Sequence, residues 1–165
     1  MLFPDLPPDA RVWVFTADRS LSPDEQDRLL GAMRQFTAQW GSHGRPVPGE
    51  ATVLHDRFLV VAAHLQGGVS GCGIDSMTHA AEAAGQALGI DWIGGLQVVY
   101  RDASGAVQAL PRAAFRDQVR AGAVTADTLV FVTTVDTVEN LRSGGLERPA
   151  HAAWHARVFR LAHPV

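Results

Sequence analysis

Arg11-Val12-Trp13-Val14-Phe15-Thr16, followed shortly by Ser22-Pro23-Asp24-Glu25, decides how the rest of the chain is read. The first run is rich in β-branched and aromatic residues and predicts a strand. The second supplies a serine N-cap, a proline at the first helical position and a glutamate at the third, which together form a capping box. Leu29, Met33, Phe36 and Trp40 then recur at steps of four, three and four, so they share one helical stripe until Gly41 ends the pattern. The expectation is a helix from Pro23 to Trp40, packed through a buried Phe36 on a sheet that contains Trp13 and Phe15.

Outward from this pair, the loop His43-Gly44-Arg45-Pro46-Val47-Pro48-Gly49 leads into Ala51 to Leu54 and Phe58 to His64, which read as two strands or one long bent one. A second helix is expected from Asp75 to Leu88, with Met77, Ala80, Ala81, Ala84 and Leu88 on its apolar face. Leu96 to Arg101 and Val107 to Leu110 read as strands around a Ser104-Gly105 turn. Pro111 opens a third helix that Gly122 closes. Leu129 to Val135 and Trp154 to Leu161 complete the strand candidates. The fold class is α+β, a mostly antiparallel sheet with two to three helices. The order through residue 101 also matches a ferredoxin-like β-α-β-β-α-β core with a C-terminal extension.

Composition excludes several chemistries. The chain has 165 residues, 47% hydrophobic and 19% charged, which suits one domain. No linker or repeat divides it, so residues 1–165 read as a single domain. All fourteen cationic side chains are arginine. A P-loop lysine, a Schiff-base lysine and a lysine general base are therefore ruled out. The net charge of −3 argues against a nucleic-acid binder driven by charge. The apolar runs are too short to span a bilayer, and the first residues lack a secretory pattern, so no membrane insertion and a cytoplasmic location are expected.

The lone cysteine, Cys72, stands in Ser70-Gly71-Cys72-Gly73-Ile74-Asp75-Ser76, at the junction of a strand and a helix. Glycine on both sides leaves room beside the thiol, and a helix start offers unpaired N–H donors and a positive dipole end. Catalytic candidates are Cys72 as nucleophile, His43 as its helper and Asp75 as orienting group, with His79 a local alternative to His43. Ligand-binding candidates are Gly71, Gly73, Ser76 and Trp40. The dipole alone lowers a thiol's pKa by less than about one unit, so a nucleophilic Cys72 needs a second helper.

These segments, with Ala17-Asp18-Arg19, Trp40-Gly41-Ser42-His43-Gly44, Asp56-Arg57-Phe58-Leu59 and Trp154-His155, resemble a family of small bacterial proteins, some of them labelled "ABC transporter ATPase". The family pattern carries serine at the position of Gly73. The label does not extend to this chain, because no stretch matches G-x-x-x-x-G-K-[ST].

Three readings of Cys72 stand side by side: a buried small hydrophobe, a reactive thiol, and part of a loop that binds an anion through its backbone. Asp75 and Ser76 read equally as N-caps. His151 and His155 are four apart, but in a strand that places them about 13 Å apart, so no metal site is assigned. The sequence names no cofactor. Two function classes follow: a ligand-binding or accessory module centred on residues 70–76, and a thiol-dependent or redox-responsive enzyme using Cys72. A small anionic ligand is the expected partner, the apolar residues near Trp40 and Trp92 are the expected contacts of an accessory module, and the four tryptophans with little charge near Trp92-Ile93-Gly94-Gly95-Leu96 suggest a homodimer, the commonest symmetric outcome.

Overall fold

The computed structural model describes residues 1–161. In chain order the elements are β1 (Arg11–Thr16), α1 (Pro23–Thr37), β2 (Gly41–Ser42), β3 (Arg45–Pro46), β4 (Gly49–Leu54), β5 (Phe58–Ala63) and α2 (Gly71–Ala87). There follow β6 (Gln97–Arg101), β7 (Val107–Pro111), α3 (Arg112–Arg120), β8 (Leu129–Phe131), α4 (Val138–Arg142), β9 (Glu147–Pro149), a 3-10 turn at Ala150–Ala152 and α5 (His155–Val158). All strand pairs are antiparallel and the class is α+β. The chain forms two compact units, one of residues 1–93 with 134–143 and one of residues 94–133 with 144–165.

The first unit is built on the sheet β1-β5-β4. All six residues of β5 are buried, as its unbroken run Phe58-Leu59-Val60-Val61-Ala62-Ala63 requires of a strand covered on both faces. Leu59, Val61 and Ala63 join Leu29 and Met33 of α1 and Met77, Ala81 and Ala84 of α2 in one core, with Trp13, Phe15, Ala51 and Val53 packed against it. α1 has the capping box that the sequence announces: Ser22 Oγ accepts from Glu25 N–H, and the Glu25 carboxylate accepts from Ser22 N–H. Arg19 donates twice to the same carboxylate, which holds Glu25 at a pKa of about 2. The helix stops at Thr37, before Trp40, and Phe36 is only half-buried.

β4 and β5 are joined by the three-residue loop His55-Asp56-Arg57, in which His55 and Asp56 both have positive φ, 53° and 54°. This is the twist a tight hairpin needs, usually supplied by Asn-Gly. Here tertiary bonds hold it. Leu21 N–H donates to the Asp56 carbonyl at 2.7 Å, and the Asp56 carboxylate accepts from Gln26 at 3.0 Å. The neighbouring Arg57 is buried, donates to the carbonyls of Ala17 and Asp18, and has its pKa lowered by that burial.

The second unit holds the sheet β7-β6-β8-β9. Its core gathers Val98, Tyr100, Phe115, Val124, Val130, Ala150 and Phe159. α3 begins after Pro111 and is followed by Gly122 at a φ of 77°, as the sequence predicts.

Three expectations change. The ferredoxin-like order is not formed, because β1 pairs antiparallel with β5 and β6 belongs to a different sheet. The described residues hold five helices rather than two or three. Trp154 to Leu161 forms no strand but the short helix His155–Val158 flanked by turns: His155 and Phe159, four apart, are both buried, a helical spacing hidden when histidine is counted as polar. No helix of the described residues is long and apolar enough to cross a membrane.

Candidate functional site

α2 begins four residues earlier than Asp75. Ser70 is its N-cap, with φ −65° and ψ 161°, and its hydroxyl accepts from Gly73 N–H at 3.1 Å. Asp75 and Ser76 are therefore inside the helix and do not cap it. Ser76 instead donates its hydroxyl proton to the Cys72 carbonyl at 2.9 Å, one turn back. At the far end, Gly89 at a φ of 67° and the bonds Ile90 N–H to Gly85 carbonyl and Gly89 N–H to Gln86 carbonyl close α2 in a Schellman motif.

The start of α2 is fastened to the strap that follows α1. Ser42 is buried, and its Oγ sits 2.8 Å from Ser70 Oγ and 2.9 Å from Ser70 N, from which it accepts. Trp40 donates its indole N–H to the Gly73 carbonyl at 2.9 Å. The strap itself is the hairpin β2–β3, whose two turn residues, His43 and Gly44, have φ of 51° and 75°. Close packing explains two glycines. A Cβ on Gly73 would lie 2.8 Å from Val69 Cγ1, and one on Gly49 would lie 2.8 Å from the Trp40 ring. A Cβ on Gly71 would meet nothing within 4 Å, so that glycine is not demanded by packing.

The sequence-predicted site residues thus divide. Trp40 and Gly73 are brought together, but as structure: Trp40 is 3% exposed, its ring centroid lies 6.1 Å from that of Trp13 and 5.2 Å from that of Phe36, and its one polar side-chain atom is spent. That burial removes Trp40 from any surface a partner would touch. Gly71, Cys72, Asp75 and Ser76 lie exposed along the first turns of α2, with His79 exposed further on. His43 is exposed at the hairpin tip next to Ser42. Among the described residues, no hydrogen bond or ion pair joins Cys72, His43 and Asp75. The buried-hydrophobe reading of Cys72 is overturned by its exposure.

What this arrangement offers chemically is a fixed helix start whose first two amides, those of Gly71 and Cys72, make no hydrogen bond among the described residues, while Gly73 and Ile74 donate to Ser70. Ser42 and Ser70, which hold it, are missed by a reading that stops at Cys72. The available signal is the serine before Gly71, flanked by apolar Val69 and Ile74 in the positions of a hydrophobic staple. Trp92, the other proposed contact residue, is half-buried against Gly85, and its indole N–H donates to the Ala81 carbonyl at 2.9 Å. The described residues contain no group of three or more side chains arranged to hold a metal. No family model, curated protein or solved structure matches the chain.

Proposed function

We propose that this chain is a ligand-binding or accessory module of the bacterial cytoplasm, contacting a small anion at the start of α2. The observation that carries the reading is the double fastening of that helix start by Ser42 and Trp40, which leaves the Gly71 and Cys72 amides open on a held backbone. Two fixed N–H donors at the positive end of a 17-residue helix favour a carboxylate or phosphate oxygen. The all-arginine composition and the quoted motifs support the bacterial setting, and a homodimer is the arrangement proposed for the accessory role. The test is a titration of the isotope-labelled chain with sodium phosphate and then sodium acetate. Saturable movement of the Gly71 and Cys72 amide signals is expected; stationary signals at both positions overturn the reading.

A second reading, a thiol-dependent or redox-responsive protein, draws on the exposure of Cys72 at the same helix start. It lacks a helper, since no imidazole or guanidinium stands within hydrogen-bonding distance of the thiol among the described residues. His43 and Asp75 would have to move to serve it.

A further inference from the structure

The charge of the chain is divided unevenly. Although the whole carries −3, the unit of residues 94–133 and 144–165 holds seven arginines against four carboxylates. Arg101 is taken up by Glu147 through its Nε and NH2 groups. On α3, Arg112, Arg116 and Arg120 stand four residues apart and so share one helical face, an arrangement in which like charges repel. Little inside the unit offsets the row. Arg120 approaches Asp117 only at 3.9 Å, with both side chains about three-quarters exposed. Arg112 and Arg116 lie over the rings of Trp154 and Phe159, at 5.3 and 5.6 Å, rather than on carboxylates.

A cleft of about 410 Å³ opens beside this row, lined by Arg116, Val119, Arg120, Val158, Phe159 and Arg160. Its lining residues include three arginines and no aspartate or glutamate. We infer that this cleft binds an organic phosphate monoester. Each guanidinium presents a fork of N–H donors that matches two oxygens of a phosphate, and a phosphate dianion has three terminal oxygens to share among three forks. Phe159, Val119 and Val158 form an apolar wall for the body that the phosphate carries, and the volume falls in the range of small-molecule sites. The stacking of Arg116 on Phe159 holds one fork in place before the ligand arrives. The site shares no residue with the start of α2 and does not depend on the reading given to it.

The experiment is calorimetric titration of the whole chain with phenyl phosphate at low ionic strength, paired with the methyl signals of Val119 and Val158. Saturable binding at one site per chain is expected, with both methyl signals moving. Arg116→Ala and Arg120→Ala should each weaken it by about tenfold or more, Arg120→Lys by less, and Arg34→Ala, on exposed α1 surface, not at all. Benzoate should bind more weakly than phenyl phosphate. Absence of saturation up to about 10 mM, unmoved methyl signals in the native chain, or arginine variants with native affinity would overturn the inference. The methyl signals keep it open to refutation even where an arginine variant does not fold.

Discussion

The two units bury polar rings in opposite ways. In the first, each buried or half-buried indole that packs around the start or end of α2 has a partner: Trp40 donates to Gly73 and Trp92 to Ala81. In the second, His155 is fully buried with neither ring nitrogen hydrogen-bonded, stacked on Trp154 at 3.8 Å and near Phe115 and Phe159. A satisfied donor fixes geometry whatever the pH. An imidazole with no partner is tolerated only while neutral, so the second unit carries a sensitivity to mild acid, above the pH at which Glu25 of the first unit responds.

The largest effect that would break this contrast is on the first unit. Trp40→Ala should cost about 3–5 kcal/mol in denaturant unfolding, because the ring fills the space against Gly49, Trp13 and Phe36. A loss under about 1 kcal/mol would mean that the ring is not the fastening it is taken for here.

Next comes acid. Burial, with a smaller contribution from the Arg112 charge, holds His155 at a pKa of about 4, against 6.5 for a free imidazole. The unfolded chain therefore takes up a proton first as the pH falls. The stabilisation is complete above about pH 6.5 and is lost progressively towards pH 4, a difference on the order of 3 kcal/mol. Glu25 and Asp102, both held at about 2, Glu25 by Arg19 and Asp102 by Ser104 and Gln108, add their losses only below about pH 4. Trp154 is the one tryptophan of the second unit, so its indole signal should report the loss between pH 6.5 and 4, before those of Trp13, Trp40 and Trp92. In His155→Phe that early loss should vanish; its persistence would assign the acid sensitivity elsewhere.

Smaller changes sharpen the picture of the first unit. Trp40→Phe keeps most of the ring but removes the indole bond to the Gly73 carbonyl, and should cost about 0.5–1.5 kcal/mol. Within α2 itself, two glycines should respond with opposite signs. Gly85→Ala sets a Cβ 2.6 Å from Trp92 Nε1 and should lower Tm, whereas Gly71→Ala meets nothing within 4 Å and should stabilise by about 0.5–1 kcal/mol. Equal responses would argue that Trp92 does not pack where it stands.

The parts legible in the sequence are those where local chemistry and tertiary packing agree. The capping box at Ser22 and the run from Phe58 to Ala63 are of this kind. The start of α2 is not: Gly71-Cys72-Gly73 has poor helix propensity and reads as a loop, and only Ser42 and Trp40, some thirty residues upstream, hold it helical. The turn at His55-Asp56 is hidden for the same reason, since no glycine marks it. The division into two units is not marked by a linker either, because the chain crosses between them at short stretches. Of the candidate site, its location was readable from the serine, glycine and cysteine residues. Which of them would be open and which spent on packing was not, since that depends on contacts across the fold.

The account stands most directly on the claim that Cys72 belongs to an open binding surface and has no helper. Its measurement is the rate of Cys72 alkylation by iodoacetamide at neutral pH in the native chain and in His43→Ala. Equal rates in the two are predicted, since His43 makes no bond to the thiol. A rate that falls tenfold or more in His43→Ala, with the fold intact, would contradict it and restore the thiol enzyme.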